Sequence, residues 1–306
     1  MGDWGAPGAF TAPGRFWRGS LHAHSDRSDG VLPPERVVGR YRAAGYDFLA
    51  LTDHFRAVHG YPVTDTRGLR EAGFTTLLGA EQHAPGPQLA TEWHLIAVGL
   101  PLDFPPTGPA ETGPELARRA RAAGAFLGMA HPAASLLTLA DADTLDAAHA
   151  VETHNGLAAR EDRADSWHLY DALLARGRRL TAYAADDAHF QPHDPPGCRA
   201  WVQVRAPALD PDQLLAALKE GAYYSSTGPD IHTVALTGDA VHLTCSPAER
   251  ILLTGARPGC QLATGDGLTE ATVPLGFFGD ATHLRVTVIT ADGDRAWTNP
   301  LWPHQP

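Results

Sequence analysis

The chain has 306 residues, of which 43% are hydrophobic and 19% charged, the composition of an ordinary globular protein with a sizeable core. The formal net charge of -11 argues against a nucleic-acid polymer or an anionic membrane as partner, because both attract clustered Lys and Arg. Without a run of about 18 apolar residues or a secretory signal pattern, the sequence predicts a cytoplasmic protein.

Cysteine and histidine usage points to metal chemistry through imidazole rather than thiolate. The three cysteines, Cys198, Cys245 and Cys260, are too scattered for a disulfide framework or a CxxC site. The 16 histidines are numerous beside 24 Lys plus Arg, and neutral imidazole is the commonest metal ligand in proteins.

Between about residues 17 and 220, short β-prone runs alternate with amphipathic stretches, the pattern of a parallel sheet or barrel. The predicted strands are RGSLHAH, YDFLALTDH, FTTLLGAE, HLIAVGL, AFLGMAH, HAVETHN, RLTAYAADDAH and AWVQVRA. The predicted helices are PERVVGRYRAAG, GPELARRARAAG, REDRADSWHLYDALLARG and DPDQLLAALKEG.

After about residue 229 the pattern changes to β-prone runs with a turn signal every ten residues or so, such as VALTGDAVHLTCS and THLRVTVITADGD. These runs predict antiparallel strands in a small β-sandwich-like module. The predicted domains are an N-terminal extension (1–14), a catalytic α/β domain (15–228) and a C-terminal β module (229–306).

Side chains that bind metals recur where the predicted strands end. His22 and His24 alternate along one strand and therefore share a face, and Ser28-Asp29-Gly30 follows them. Catalytic groups of parallel α/β proteins gather at the carboxyl ends of strands, so these ends predict a multinuclear metal site. The later strand ends contribute His54, Glu81, His94, His131, Asp187 and His189.

The strings HAHSDRSDG and GYDFLALTDH resemble the PHP superfamily, named for polymerase and histidinol phosphatase. YYSSTGP and the closing AWTNP resemble its carbaryl-esterase-like branch, in which a β module follows the catalytic domain. The resemblance spans nearly the whole chain. It implies a distorted (βα)7 TIM-like barrel and a metal-dependent hydrolase.

The resemblance also implies three adjacent metal sites. His22, His24, Glu81 and Asp187 would hold the first metal, and Glu81 would bridge to a second metal held by His94 and His131. Asp29, His54 and His189 would hold a third. Many family members have a histidine near Asp29, whereas here the fitting position is Gly30, so a carboxylate has to replace an imidazole.

The ligand types support two or three divalent ions, with manganese, iron and zinc all compatible with nitrogen and oxygen donors. A carboxylate such as Glu81 can bridge two ions, and a water or hydroxide between the metals is the expected nucleophile. We expect Glu81, Asp187 and His189 to act directly in catalysis.

Several nearby residues have two interpretations each. Asp53 either orients His54 or caps a following helix. His83 either contacts substrate or lies in a solvated loop. Glu152, His154 and Asn155 end another strand, where positioning of substrate is favoured over metal ligation.

Arg199 is a candidate clamp for a substrate anion, with a surface ion pair as the alternative. The leading functional hypothesis is a phosphoesterase acting on a small anionic ester, because three cations suit a dianionic phosphoryl group. Hydrolysis of a carboxylic or carbamate ester or an amide is the second, and a non-catalytic metal-binding scaffold the third. A homo-oligomer is compatible with all three.

Overall fold

The computed structural model describes residues 8–303. Residues 1–7 of the predicted N-terminal extension and residues 304–306 of the predicted C-terminal module lie outside this range. Among the described residues, no helix combines the length and the apolar character needed to span a membrane.

The described chain contains short helices and many strands. The α-helices are α1 (Gly8–Thr11), α2 (Pro34–Ala43), α3 (Gly113–Ala122), α4 (Leu139–Thr144), α5 (Trp167–Ala175) and α6 (Pro211–Glu220). The strands are β1 (Arg15–Ser20), β2 (Phe48–Leu51), β3 (His54–Phe55), β4 (Thr75–Pro85), β5 (Glu92–Val98), β6 (Phe126–Met129), β7 (Ala150–Asn155), β8 (Thr181–Ala185), β9 (Trp201–Ala206), β10 (Tyr223–Ser226), β11 (Ile231–Thr237), β12 (Ala240–Gly255), β13 (Gln261–Pro274), β14 (Leu284–Ile289) and β15 (Arg295–Thr298). Short 3-10 turns are formed by Ala57–His59, Arg67–Leu69, Leu157–Glu161 and Gly276–Phe278.

Helices begin where the sequence supplies caps. Thr112 and Glu115 form a reciprocal capping box at the start of α3, which satisfies backbone N–H groups that have no partner within the helix. Asp210 accepts hydrogen bonds from two backbone N–H groups at the start of α6, and Gly221 ends that helix in the left-handed conformation. Local capping therefore marks the start of α3 and α6, whereas the helix predicted from Arg160 begins only at Trp167, without a side-chain cap.

The strands form a 15-stranded mixed sheet in the order β11-β12-β14-β15-β10-β9-β1-β2-β4-β5-β6-β7-β8, with β13 beside β12 and β3 beside β4. Parallel pairs join β1, β2 and β4, and again β6, β7 and β8. Strand β5 is antiparallel to both of its neighbours, β4 and β6. The structure is mixed α/β and departs here from a uniform βα alternation.

The segments that follow β1 and β8 lie side by side. The Asp187 N–H donates to the His22 carbonyl at 3.0 Å, and the His24 N–H donates to the Ala188 carbonyl at 3.0 Å. Ala23 and Ala188 form a parallel bridge. The sheet therefore curls so that loops at its carboxyl edge meet.

The strands after residue 229 pair antiparallel, which confirms that part of the sequence prediction. They continue the same sheet through the pairing of β15 with β10. Their core is its own cluster of buried side chains, including Tyr224, Phe278 and Leu284. The (βα)7 barrel, the sandwich and the domain boundaries stay predictions.

Candidate metal centre

Four buried side chains converge where the loops after β1 and β8 meet β4. His22 Nε2 and His24 Nε2 lie 3.1 and 3.0 Å from Asp187 Oδ1 and 3.6 and 3.5 Å from Glu81 Oε2. Each of these four atoms is buried and makes no hydrogen bond within the described chain. Buried polar atoms normally have hydrogen-bond partners, so four such ligand atoms without one, facing a common point, fit a bound divalent cation.

The spacing of these atoms suits a divalent ion. Metal–ligand bonds of about 2.0–2.2 Å in a tetrahedral arrangement place neighbouring ligand atoms about 3.3–3.6 Å apart. The observed separations of 3.0–3.6 Å fall close to that range. The set of two imidazoles and two carboxylates therefore fits the first predicted metal.

The second set uses the other oxygen of Glu81. Glu81 Oε1 lies 2.7 Å from His94 Nδ1 and 3.2 Å from His131 Nε2. His94 stands near the amino end of β5, and β5 runs antiparallel to β4, so this end lies at the same edge as the carboxyl ends of the parallel strands. Glu81 therefore has the geometry of a carboxylate that bridges two ions.

The third set gathers around Asp29. Asp29 Oδ1 lies 3.2 Å from His189 Nε2 and 3.4 Å from His54 Nε2. A Cβ at Gly30 would come within 2.8 Å of the His24 backbone, so position 30 has no room for a side chain without rearrangement. The adjacent carboxylate of Asp29 is thus the group available to the third set.

Two residues of the cluster adopt backbone conformations that non-glycine residues rarely take. His131 has a φ of 26° and Asp187 a φ of 55°. Such left-handed conformations cost on the order of 1–3 kcal/mol and persist where surrounding structure enforces them, often at functional sites. The strain is consistent with side chains that are held toward a common point.

The cluster has strongly opposed charges. Burial alone raises the pKa of the Glu81 carboxyl, but the charges of His54 and His94 hold it well below its usual range. Burial lowers the pKa of His54, whereas Glu81 and Asp29 together raise it to about 10. Burial and the neighbouring His189 lower the pKa of His24 to about 4. Without metal, protons therefore occupy some imidazoles and leave others neutral.

Glu152, which the sequence predicted to position substrate, contacts two candidate ligand residues instead. Its Oε1 lies 3.0 Å from His22 Nδ1, and its Oε2 accepts hydrogen bonds from the His131 backbone N–H at 2.6 Å and from Asn155 Nδ2 at 2.9 Å. A carboxylate behind a histidine fixes its tautomer so that the other nitrogen faces the metal. Asn155 Nδ2 also reaches Asp187 Oδ2 at 3.2 Å. Glu152 and Asn155 thus lie behind the candidate ligands.

Asp53 does not orient His54, and it caps no helix. Its carboxylate accepts hydrogen bonds from the Ser25 N–H at 2.7 Å, the Ser28 hydroxyl at 2.9 Å and the Thr64 hydroxyl at 2.7 Å. None of these contacts is to His54, and Asp53 is followed by β3 and then by a 3-10 turn whose cap is Arg56, so the structure supports neither sequence interpretation. Asp53 therefore holds the loop that carries Asp29.

His83 is buried rather than solvated. Its Nε2 lies 2.9 Å from His54 Nδ1, and its Nδ1 lies 3.3 Å from Arg56 Nη2. His83 therefore contacts the candidate ligand His54 from the side of its Nδ1 atom. It lines a cavity next to the metal cluster.

The cluster opens into a cavity of about 480 Å³, whose lining includes His94, His131, His189, Leu136 and Arg160. Arg160, in a 3-10 turn after β7, was missed by the sequence analysis. Its only signal was a position five residues after Asn155. Its guanidinium forms an ion pair with Asp194 at 2.8 Å.

Arg199 and His154 are not brought to this cavity. Both line a separate cavity together with Trp297, and His154 Nδ1 lies 2.9 Å from Asp165. The position of His154 is explained by a bulge in β7 between Glu152 and His154, which breaks the two-residue alternation of side chains. The predicted anion clamp Arg199 precedes β9 and lies apart from the candidate metal ligands.

No family model and no curated protein matches the chain. Among solved structures, it is similar to a two-domain protein from Bacteroides vulgatus "containing predicted PHP-like metal-dependent phosphoesterase". The TM-score is 0.55 and the identity 17%, over 95% of this chain and 98% of that one. This likeness shows a shared fold.

Two further solved structures are less similar. A Bifidobacterium adolescentis protein named as a "putative metal-dependent phosphoesterase" gives a TM-score of 0.44 at 16% identity, over 62% of this chain and 94% of that one. An amidohydrolase from Chromobacterium violaceum gives 0.41 at 17% identity, over 58% of this chain and 89% of that one.

Proposed function

We propose that this protein is a metal-dependent hydrolase of the PHP type that cleaves a phosphate mono- or diester. The observation that carries the proposal is the convergence of four buried, unpartnered ligand atoms from His22, His24, Glu81 and Asp187. The fold shared with the Bacteroides vulgatus protein "containing predicted PHP-like metal-dependent phosphoesterase" supports this proposal.

Divalent ions held in these sets would supply an activated water and positive charge for the developing transition state. The protein's own residues prepare the geometry. Glu152 holds His22 Nδ1 so that Nε2 points toward Glu81 and Asp187. Asn155 Nδ2 donates a hydrogen bond to Asp187 Oδ2, which holds that carboxylate in place. The catalytic roles of Glu81, Asp187 and His189 are proposed on their place in the cluster.

The cavity lining favours an anionic substrate. Arg160 lies in the wall, and a guanidinium matches a phosphate or carboxylate with two parallel hydrogen bonds. About half of its side chain is open to solvent, and we propose that a substrate anion replaces its present ion pairs with Asp194 at 2.8 Å and Glu161 at 3.6 Å. We assign to Arg160 the anion-binding role first predicted for Arg199.

A carboxylic or carbamate ester or amide is the second candidate, because apolar side chains border the same cavity. Leu89 and Leu136 line it and are 69% and 46% exposed. Large exposed apolar side chains beside a polar centre suit a hydrocarbon leaving group. Water activated at the same metal centre would be able to attack either a carbonyl carbon or phosphorus.

Finer assignments belong to this proposal. We propose two or three ions of manganese, iron or zinc, a distorted (βα)7 barrel over 15–228, and a C-terminal sandwich over 229–306 as in the carbaryl-esterase-like branch. His83 and Asn155 contact candidate ligands and stay proposed as substrate-positioning residues, whereas His154 lines the separate cavity with Arg199. The proposed partner is a small ester, with a cytoplasmic location and a homo-oligomer as further expectations.

The test is hydrolysis by metal-stripped protein reloaded separately with manganese, iron or zinc. The panel contains p-nitrophenyl phosphate, its bis ester, p-nitrophenyl acetate and a naphthyl carbamate. The proposal expects metal-dependent release of p-nitrophenol from the phosphate monoester, the diester or both, and Asp187→Asn should abolish it. Turnover of the acyl esters alone would replace phosphoesterase by acyl hydrolase. Near-normal turnover in His24→Ala or Glu81→Ala would overturn the ligand assignment.

A further inference from the structure

A second cavity, which we name the basic cavity, lies at the opposite edge of the sheet from the metal cluster. It measures about 350 Å³ and lies where two strands begin, since His149 immediately precedes β7 and Thr181 begins β8. Glu152 and Asn155 lie further along β7, toward the metals. A six-residue strand spans about 20 Å, so the two cavities are separate.

The basic cavity concentrates positive charge in a chain whose net charge is -11. Its basic lining residues are Arg121, Arg178, Arg179 and Lys219. Lys219 is the only lysine of the sequence. The acidic lining residues are Asp146 and Glu220, and Asp146 is bound outside the group by Arg118 at 3.0 Å. A surplus of positive charge therefore faces the cavity.

Two of the guanidinium groups are fixed by neutral acceptors. Arg121 donates to the Ala147 carbonyl at 2.9 Å, and Arg178 donates to the Leu145 carbonyl at 2.7 Å. Carbonyl oxygens orient a guanidinium without cancelling its charge. Arg179 lies over the Trp302 ring at 5.1 Å, another neutral contact. The positive groups are thus positioned before any anion arrives, which lowers the entropic cost of binding.

His149 adds a neutral hydrogen-bond donor. Its Nδ1 accepts the Leu127 N–H at 3.0 Å, so the ring proton of the neutral imidazole is on Nε2. Burial, then the charges of Arg121 and Lys219, lower the pKa of His149 to about 4, which keeps the ring neutral. Its free polar atom is therefore a donor, as an anion requires.

We propose that the basic cavity binds a small polyanion that carries two or more phosphate or carboxylate groups. A single phosphate would leave most of the four basic side chains without an anionic partner. The volume is also that of a small-ligand pocket, which typically measures about 300–1,000 Å³. The small volume and the negative net charge of the chain favour a free small molecule over a nucleic-acid polymer.

The single lysine provides a local readout. Reductive methylation with ¹³C-formaldehyde keeps the charge of Lys219 and gives one lysine signal in NMR spectra of the full-length protein. Titrated inorganic pyrophosphate is expected to shift this signal saturably, and sulfate more weakly. Binding at the metal cluster would leave Lys219 unchanged, so the result is independent of the proposed function.

Variants complete the test. Arg121→Gln is expected to weaken pyrophosphate binding by about tenfold or more, as expected when one charged hydrogen-bonding group is lost. Arg36→Gln makes the same change at an exposed position of α2 and should bind like the parent. Calorimetry of Lys219→Gln gives a second measurement without the label. An absent shift, or equal affinities in Arg121→Gln and Arg36→Gln, would overturn the proposal.

Discussion

Replacing Glu152 by glutamine tests how the first metal set is oriented. In the parent, Glu152 Oε2 accepts two hydrogen bonds, from the His131 N–H and from Asn155, while Oε1 faces His22 Nδ1. In Glu152→Gln the single remaining oxygen is needed by those two donors. The amide NH₂ then faces His22 Nδ1 and forces the ring proton onto Nε2, the atom that should bind metal.

The expected loss of metal affinity can be estimated from other proteins in which a carboxylate contacts a metal-binding histidine. Removing a carboxylate behind a metal-binding histidine weakens metal affinity by about 10–100-fold, or about 1.4–2.8 kcal/mol. At saturating metal the same free energy disappears from the stability of the loaded protein, which lowers its Tm by about 2–4 °C. The change is isosteric, so packing around Glu152 is preserved.

The assay is calorimetric titration of chelator-treated protein with Zn²⁺, together with melting curves of the loaded and stripped forms. Glu270→Gln provides the matched control, since Glu270 is exposed on β13. We expect weaker metal binding only in Glu152→Gln. Parent-like affinity in that variant would refute the proposed tautomer control of His22.

Three more predictions follow from the site. Asp187→Asn should lower turnover by at least about a thousandfold, the scale of losing an essential electrostatic group, with an unchanged circular dichroism spectrum; retained activity would contradict its ligand role. Arg160→Gln should raise KM for a phosphate ester about tenfold and leave KM for a neutral ester unchanged, and equal effects on both would exclude an anion-binding role. Because His54 has a pKa raised to about 10, its proton stabilises the metal-free fold fully below about pH 6.5, and this stability is lost as the pH rises through about 10. Metal has to displace that proton, so the increase in Tm on metal addition should grow between about pH 6 and about pH 8.5, and a flat or falling increase would contradict it.

The sequence predicted the cluster of candidate metal ligands because strand geometry carries these side chains to one edge of the sheet. His22 and His24 alternate and share a face, and Glu81 and Asp187 also meet there. His94 reached the site for a reason that the sequence did not reveal. Its strand β5 runs antiparallel, so its amino end rather than its carboxyl end lies at this edge. Strand direction depends on tertiary pairing, which local patterns do not encode.

The substrate side was harder to predict because it depends on irregular backbone. The β7 bulge separates Glu152 from His154, and the following 3-10 turn brings Arg160 into the cavity in place of Arg199. Neither feature has a periodic signature. Asp53 illustrates the same limit, since its partners Ser25 and Ser28 lie in a loop. Regular elements were predictable, and loop contacts were not.

The most direct measurement is anomalous diffraction from crystals of the protein soaked in manganese. We expect one peak about 2.0–2.2 Å from His22 Nε2, His24 Nε2 and Glu81 Oε2, and a second beside Glu81 Oε1 near His94 and His131. The proposal of a metal centre would be contradicted if the crystals bound manganese at full occupancy elsewhere and showed no peak beside either oxygen of Glu81.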